Sequence, residues 1–524
     1  MTVIRKNDFL WILIVSTLIL LLSSIPNWAG YQAETPDLRF RGIFFDSQDY
    51  AVHIATMEAG RQGEWAYQFR FTTESHSRAY IRLFYIFLGH VSQWLGLPSE
   101  VAFQIARWLL GFVALLTLYK LMQKVLPDLY WARVGFLLAA LGSGLGWLQL
   151  IFNWTSGLIT PIDFWLIDAY VFFSLSVFPH FMFVTAGMCL ALSLWLDFLE
   201  TTRWRNILWI GLTAILVQMA NPIAFAMVDA GLFGATAFSW WRTKSIRQEE
   251  IGGLIVIGVA QIPLLAYNFL VLNRDPLWRQ FTAQNQTLSP PPDYYLWGLA
   301  LFWPLAILGG IIAFRTKSNA LGAAMFWIIS AFLLAYAPFY IQRRFLQNIT
   351  IPLGMLATTG LINLFEGGSA KCQGILRWRS SLVILFIFLI SVSSIQLSLG
   401  QAAFLQTHPE NLYYPASLDG AIDWLAENAR YNDFILASEA TSQLLAQKVG
   451  LRAYLGHEME TLSYKIKQSK VQSFFGGELP ELASDPIKWV VYGPFEKKLN
   501  PDFKKPDKLE LVYDTPELQI YQVR

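Results

Sequence analysis

The sequence has few charged residues for its length, and this excludes a soluble globular protein. Only 15% of its 524 residues are Asp, Glu, Lys or Arg, whereas about 25% is usual for soluble domains. Hydrophobic residues make up 55% of the chain, and the mean hydropathy is +0.40. The net charge of +2 and the scattered basic pairs give no sign of nucleic-acid binding. This composition is typical of a polytopic membrane protein.

Cysteine is almost absent, and internal repeats are not visible. The two cysteines, Cys189 and Cys372, lie in or beside apolar segments far apart in sequence. Their spacing predicts neither a CxxC metal site nor a disulfide framework. The chain also has no solenoid period, and it has no inverted repeat of the kind that many secondary transporters carry.

Long apolar runs are what the sequence has in abundance. The first, from Phe9 to Ile25, follows Arg5 and Lys6 without a small-residue cleavage site after it, so we interpret it as an uncleaved membrane helix. Other runs near the length that a bilayer requires lie at residues 80–97, 101–122, 130–152, 160–178, 181–199, 205–222, 223–241, 251–272, 293–314, 320–341, 345–366 and 381–399. They predict about thirteen spans, or about eleven if the runs at 80–97 and 160–178 are partial.

The basic loops predict the topology. By the positive-inside rule the amino terminus is cytoplasmic, and both the loop 26–79 and the carboxyl-terminal region are external. The loops that alternate correctly for the cytoplasmic side contain Arg203/Arg205, Arg242/Lys244/Arg247, Arg315/Lys317 and Lys371/Arg377/Arg379. Three residues violate the thirteen-span pattern, namely Lys120, Lys124 and Arg133. We expect a multi-pass protein of the bacterial inner membrane.

From about Gln401 the composition turns polar and mixed. Short apolar runs around Phe434 and Trp489 read as strands between helical patterns. We therefore predict an all-α polytopic membrane domain over residues 1–400, which includes the first external loop 26–79. A small extracytoplasmic α/β domain, long enough for its own core, is predicted over residues 401–524.

The first external loop concentrates polar residues. Asp46 and Asp49 lie three positions apart at the start of a predicted amphipathic membrane-surface helix, Tyr50–Gly60, with His53 one turn further along. A carboxylate there could act as a general base toward an acceptor hydroxyl, and the pair could hold a divalent cation. Helix capping is the alternative, and on the local residues alone it is the stronger one. The other substrate-binding candidates in this loop are Tyr50, Glu74 and His76.

Later segments add further candidates. Arg343 and Arg344 lie on the predicted external side, where adjacent guanidiniums suit a phosphate or diphosphate, although snorkelling to lipid headgroups explains them equally well. Asp168 and His180 lie in or at the end of an apolar run, where ionisable groups usually face the protein interior or a watery cavity. A structural hydrogen bond is the alternative for both.

Two segments are predicted to have other roles. Residues from Asn273 to Tyr295 are expected to form a long external loop, of a length typical of lids and binding loops. The segment from Gly456 to Thr461 contains HExE, which lacks the second histidine of HExxH. We therefore expect no zinc site there.

The first loop and the arginine pair together resemble a known family. Asp46 to Gly60, with its Asp49-Tyr50 step, and Arg343 to Pro352 are similar to the GT-C glycosyltransferases. The resemblance is closer to the bacterial branch related to protein O-mannosyltransferases and aminoarabinose transferases. Members transfer a sugar from a polyprenyl-phosphate carrier to an acceptor at the outer face of the membrane.

This resemblance implies roles for the candidate residues. The first-loop acid is expected to be the catalytic or metal-holding carboxylate, and basic residues of the late loops are expected to hold the lipid phosphate. Many members have an adjacent Asp-Glu pair, whereas Ser47 and Gln48 separate the two aspartates here. Either Asp46 or Asp49 is thus a candidate for the base.

The leading hypothesis is an inverting membrane glycosyltransferase that works by single displacement. Its expected partners are a polyprenyl-phosphate sugar donor, a glycan, lipid or protein acceptor, and membrane lipids, but no nucleic acid. A divalent cation is the one cofactor considered. The alternatives are a polytopic transporter or lipid-carrier flippase, which predicts functional polar groups at mid-membrane, and a non-catalytic scaffold whose outer domain binds a partner.

Overall fold

Most of the chain is helical, as its apolar runs predict. The computed structural model describes residues 6–152, 160–366, 378–477 and 486–524. Lys371, Cys372 and Arg377 lie outside these residues. The helices through the first half are α1 (Lys6–Gln32), α2 (Ser47–Arg61), α3 (Leu83–Trp94), α4 (Ser99–Val125), α5 (Leu129–Leu141), α6 (Gly146–Ile151), α7 (Val171–Val177), α8 (Pro179–Thr201), α9 (Trp204–Ala220), α10 (Phe225–Thr243) and α11 (Gln248–Arg274). The later helices are α12 (Pro276–Gln284), α13 (Pro292–Gly298), α14 (Trp303–Thr316), α15 (Asn319–Ala335), α16 (Thr350–Glu366), α17 (Arg379–Leu405), α18 (Asp419–Asn428), α19 (Glu439–Val449), α20 (Tyr464–Gly476) and α21 (Pro494–Leu499).

The chain divides into two compact units that interleave in sequence. The first unit comprises Met1–Ile25, Ala106–Tyr267 and Gln286–Gln401. The second comprises Pro26–Ile105, Asn268–Asn285 and Ala402–Arg524. The second unit thus combines the predicted first external loop with the carboxyl-terminal region. The division into a membrane domain over residues 1–400 and an extracytoplasmic domain over residues 401–524 stays a prediction.

Several helices can cross a membrane by length and composition. In the described ranges these are α1 from Asp8 onward, α4, α8, α11 and α17. The pair α13 and α14, bent by 91°, would form a sixth span, and α5 and α15 are shorter apolar helices. The prediction of a mostly helical, multi-pass membrane protein is confirmed. The total number of spans stays a prediction.

The predicted spans at 80–97 and 160–178 are not single membrane helices. The run at 80–97 contains only α3, whose 12 residues cover about 18 Å, less than the hydrocarbon core of about 30 Å. The run at 160–178 contains two short 3₁₀ helices, Ile162–Phe164 and Ile167–Ala169, before α7. The carboxylate of Asp163 is buried there and accepts hydrogen bonds from the backbone N–H groups of Gly144 and Gly146, both over 3.1 Å. These two corrections favour the alternative of about eleven spans.

Two of the three basic residues that violated the topology pattern, Lys124 and Arg133, have acidic partners in the first unit. Arg133 Nη2 donates to Asp8 Oδ1 over 3.1 Å, and Asp8 is buried near the start of α1. Lys124 pairs with Asp197 at the carboxyl-terminal end of α8. Arg133 therefore lies at the end of this unit where α1 begins, which is the end predicted to be cytoplasmic, and the violation disappears when 80–97 is not counted as a span.

The predicted loop from Asn273 to Tyr295 is largely helical. Helix α12 begins at Pro276, and the Oδ1 of its N-cap Asp275 accepts from the backbone N–H groups of Leu277 and Trp278. Helix α13 likewise begins at a proline, Pro292. The loop prediction was wrong because an N-cap acid followed by proline is a helix start, and it outweighs the local polarity.

Among the described residues, all β-strands lie in the second unit. A ribbon pairs β1 (Leu38–Phe40) antiparallel with β2 (Tyr413–Pro415). A mixed sheet has the order β4-β3-β5-β7-β6, with β3 parallel to β4 and β5, and β7 antiparallel to β5 and β6. Its strands are β3 (Phe434–Leu436), β4 (Arg452–Ala453), β5 (Ile487–Tyr492), β6 (Leu509–Asp514) and β7 (Gln519–Val523). The predicted strands around Phe434 and Trp489 are confirmed.

Helix α2 is buried and does not lie on a membrane surface. Val52, Ile54 and Met57 are all 0% exposed, so apolar contacts surround the helix. It packs against α3 and α19 of the same unit. The approach to α3 requires glycine, because a Cβ on Gly60 would lie 2.1 Å from the carbonyl oxygen of Ile86. The surface prediction was wrong because the apolar residues extend around the helix instead of forming one stripe.

We expect the carboxyl-terminal region to be external. Ala426 is exposed on α18, and Cys189 is buried. In a Cys372→Ser background, Ala426→Cys should react with a membrane-impermeant maleimide in intact cells. If Ala426→Cys were labelled only after the cells are lysed, the carboxyl-terminal region would lie in the cytoplasm.

Candidate active site

Asp46 is the N-cap of α2. Its backbone is left-handed, with φ 52° and ψ 59°, and its Oδ1 accepts from the backbone N–H of Asp49 over 3.2 Å. Aspartate tolerates this region better than most residues because its short polar side chain bonds locally. Asp46 therefore caps the helix, as the capping alternative predicted.

A capping role predicts a specific stability pattern. Asp46→Ala should lower the free energy of unfolding by about 1 kcal/mol, because one backbone donor loses its acceptor. Asp46→Asn should change it little, since Asn also caps and adopts the left-handed region. Thermal denaturation in detergent measures both variants. Equal losses in both would argue that the charge of Asp46 matters beyond capping.

Asp49 faces a histidine that is distant in sequence. Its Oδ1 lies 3.2 Å from Nε2 of His457. The Asp49 side chain is 39% exposed, whereas that of His457 is 6% exposed. Asp49 therefore presents an accessible carboxylate that is anchored on its inner side by a buried imidazole.

The surroundings of His457 contain charges of both signs. Burial lowers the pKa of His457, but the hydrogen bond and charge of Asp49, together with the charge of Glu460, outweigh it and raise the pKa above its usual value. Glu460 is itself buried and accepts from Arg82 Nη2 over 2.6 Å and from the Tyr67 hydroxyl over 2.8 Å. A connected polar cluster thus extends inward from Asp49.

Tyr50 and His53 are packed into the second unit. Tyr50 is fully buried, and its ring meets that of Phe103 edge-on at 5.1 Å. His53 is 8% exposed and stacks on Tyr85, with ring centroids 4.0 Å apart. In this structure both side chains hold α2 in place, and their predicted contact with substrate stays a prediction.

Glu74 and His76 order the end of the first loop. Glu74 Oε2 accepts from Lys467 Nζ over 2.8 Å. Burial raises the pKa of Glu74, but hydrogen bonds from Lys467 and Thr72 lower it below its usual value. His76 Nε2 accepts from the backbone N–H of Phe69 over 3.0 Å, and burial lowers the pKa of this histidine.

The arginine pair belongs to a separate cluster in the first unit. Arg343 and Arg344 lie on a 3₁₀ helix, Gln342–Leu346, and both are half-buried. The Arg343 guanidinium lies 5.1 Å from the ring centre of Trp165. A half-buried guanidinium stacked as that of Arg343 is more fixed than a snorkelling side chain, which reaches headgroups through a flexible stem.

Asp168 lies in the field of the two arginines. It is buried, and its carbonyl oxygen accepts from the backbone N–H of Asn348 over 2.8 Å. Burial raises the pKa of Asp168, while the charges of Arg344 and Arg343 partly offset this rise. His180, on α8, is buried against Phe181 with ring centroids 4.1 Å apart. Asp168 thus belongs with the arginine pair, and His180 is packed in an aromatic environment.

His457 is a site residue that sequence reasoning misses. It lies in the HExE segment, whose pattern suggests only a metal motif, and 408 positions separate it from Asp49. Nothing local to either residue indicates this pairing. The one useful signal is that a His and two Glu residues fall close together in an otherwise sparsely charged chain.

Comparisons with known proteins agree with the fold. No family model matches the chain, and no curated protein matches its sequence. ArnT from Cupriavidus metallidurans bound to undecaprenyl phosphate matches with a TM-score of 0.53 and 12% identity, over 99% of this chain and 98% of that one. The Archaeoglobus fulgidus oligosaccharyltransferase in its apo form matches with a TM-score of 0.55 and 12% identity, over 92% of this chain and 69% of that one. The chain shares their fold. The oligosaccharyltransferase AglB from Archaeoglobus fulgidus, in complex with an inhibitory peptide and a dolichol-phosphate, matches with a TM-score of 0.51 and 12% identity, over 93% of this chain and 70% of that one.

These neighbours are membrane glycosyltransferases, so the predicted GT-C-like fold is confirmed. Another structure of the archaeal enzyme is a complex with Zn and sulfate, at a TM-score of 0.51 and 13% identity. That observation concerns the archaeal enzyme.

The residues around Asp49 do not form a metal-ligand set. Over the described ranges, no group of three or more His, Cys, Asp or Glu side chains could hold an ion. Asp46 is engaged as the helix cap and Asp49 accepts from His457. Mg²⁺ and Ca²⁺ take six or more oxygen ligands, several of which are commonly water or substrate oxygens, and a divalent cation at Asp46 and Asp49 stays a prediction.

Proposed function

We propose that this protein is an integral-membrane glycosyltransferase that moves a sugar from a polyprenyl-phosphate carrier to an acceptor hydroxyl. The observation that carries the proposal is Asp49, an accessible carboxylate at the start of a buried helix, hydrogen-bonded to a buried histidine. The shared fold supports it. Undecaprenyl phosphate bound to ArnT and dolichol-phosphate bound to AglB support a lipid phosphate as the carrier.

The proposed reaction is a single displacement. The acceptor hydroxyl loses its proton to the Asp49 carboxylate as its oxygen bonds to the anomeric carbon of the sugar. The bond from that carbon to the phosphate oxygen breaks, and the electron pair leaves with the lipid phosphate. The anomeric configuration inverts, and a covalent enzyme intermediate is not needed.

The arginine pair is assigned to the phosphate. Guanidiniums donate paired hydrogen bonds to phosphate oxygens, and fixed cations stabilise the charge that develops on a leaving phosphate. Trp165 fixes Arg343, and Asp168 partly balances the two positive charges. The positive charge that remains would favour a bound phosphate.

We further propose that transfer takes place at the external face of a bacterial inner membrane, with a glycan, lipid or protein as acceptor. The basic loops that are predicted to lie on the same side of the membrane as the amino terminus support this orientation. The carboxyl-terminal region of residues 401–524 would then be extracytoplasmic.

The transporter alternative predicted polar groups within spans, and such groups exist in the first unit. Gln261 of α11 donates to Asp229 Oδ2 on α10 over 3.0 Å and accepts from Gln218 of α9 over 2.5 Å. These bonds link three neighbouring helices, which is how polar side chains commonly stabilise membrane bundles. They therefore do not favour transport.

The test uses the full chain in vesicles of bacterial lipid. Radiolabelled undecaprenyl-phosphate-linked hexoses and pentoses are supplied with total envelope extract, and transfer of label and release of undecaprenyl phosphate are both measured. We expect transfer with at least one donor. Movement of intact donor across the bilayer, without cleavage, would support the flippase alternative instead.

A further inference from the structure

The segment that carries His457 is a turn closed by its own hydrogen bonds. Thr461 Oγ1 accepts from the backbone N–H groups of Gly456 and His457, each over 3.2 Å. The backbone N–H of Thr461 returns a bond to the carbonyl oxygen of His457 over 2.8 Å. One side chain therefore fixes both ends of this turn.

Other parts of the second unit hold the same turn from outside. Gln284 Nε2 on α12 donates to the carbonyl oxygens of Glu458 and Thr461 over 2.8 and 3.0 Å. Gln48 Oε1 on α2 accepts from the backbone N–H of Glu458 over 3.3 Å. Arg82 anchors the side chain of Glu460. This many contacts on six residues leave the backbone beside His457 little freedom.

The turn also determines which nitrogen of His457 carries the proton. Nδ1 accepts from the backbone N–H groups of Met459 and Glu460, over 3.0 and 3.2 Å. A nitrogen that accepts cannot be protonated, so in the neutral ring the proton lies on Nε2, which faces Asp49 Oδ1. Asp49 therefore receives a directed N–H donor from the buried ring.

We propose that His457 is the positioning residue of Asp49: the clamped turn from Gly456 to Thr461 holds an Nε2–H tautomer against Oδ1 and so fixes the orientation of the base. This inference rests on the proposed function. His457 gains and loses no proton in the reaction, and the proton from the acceptor stays on Asp49. Its role parallels that of hydrogen-bond partners that orient a catalytic group in other enzymes.

The closing experiment compares amides of different length at position 457. The amide nitrogen of Gln falls close to the position of Nε2, whereas that of Asn falls close to Nδ1 and is too short to reach Asp49. His457→Gln should keep kcat within about fivefold of wild type. His457→Asn and His457→Ala should lower kcat by about 10²-fold with donor KM nearly unchanged, since misplacement of a catalytic group by about 1 Å costs that much.

A double-mutant cycle separates positioning from a general structural effect. In an Asp49→Asn background, adding His457→Asn should lower the residual rate by less than about twofold, because the group that His457 positions is already absent. Equal rates in wild type and all three His457 variants would overturn the positioning role while the proposed function stands. Losses in His457→Gln as large as in His457→Asn, or losses that follow the melting temperature, would also overturn it. A wild-type protein that transfers no label would instead overturn the proposed function.

Discussion

Asp49→Asn should lower the rate of sugar transfer by about 10²- to 10⁴-fold, the range expected for loss of a general base. The amide cannot accept the acceptor proton at neutral pH. Its carbonyl oxygen can still accept from His457 Nε2, and Asp49 is only the third residue of α2 rather than its cap. The melting temperature should therefore stay close to that of wild type. Initial rates in vesicles and thermal denaturation of the same preparation measure the two effects.

Asp46→Asn is the matched control, because it removes a carboxylate three residues away and preserves the cap. We expect a wild-type rate from it. The reverse result, with Asp46→Asn inactive and Asp49→Asn active, would move the base to Asp46. Full activity in both single variants and in the double variant would remove the catalytic assignment of this loop and leave capping as its role.

Replacing Arg343 and Arg344 together with Gln should weaken binding of undecaprenyl phosphate by about 10²-fold. Charge-assisted hydrogen bonds contribute about 1.5–3 kcal/mol each, and part of this is retained by the amide groups. Lys at both positions should restore only part of the affinity, because an ammonium lacks the planar fork and stacks less well on Trp165. Binding of undecaprenyl phosphate to purified protein, without sugar or acceptor, measures this directly.

Arg315→Gln is the control for the loss of positive charge. Arg315 is exposed in the last turn of α14, on the predicted cytoplasmic side. Its replacement should leave affinity for undecaprenyl phosphate unchanged. Equal affinities of the Arg343/Arg344 double variant and wild type would leave headgroup snorkelling as the better account of the pair.

Membrane class and fold can be predicted from the sequence because both depend on local patterns. A bilayer imposes a minimum length on apolar runs, so α1, α4, α8, α11 and α17 are recognisable as apolar segments from hydropathy alone. Asp46 as a helix start is equally local, since a cap acts on the next three residues. The motif resemblance that spans Asp46 to Gly60 leads to the same fold that the solved structures show.

Where tertiary packing competes with local pattern, the predictions failed. Helix α2 was predicted to lie on the membrane surface, but its apolar residues extend around the helix, and α3 and α19 cover it. The run at 160–178 is apolar enough to span a membrane, but a buried Asp163 and its backbone donors break it into 3₁₀ turns.

The sequence by itself determined that this is a multi-pass membrane protein, where its main helices lie and that Asp46, Asp49 and the arginine pair are its unusual polar residues. Only the tertiary structure decided that α2 is buried, that Arg133 meets Asp8 and that His457 faces Asp49. The physical reason is range. Helix length, capping and hydropathy act over a few neighbouring residues, whereas the contact between Asp49 and His457 depends on how a helix, a sheet and a turn from distant parts of the second unit pack together.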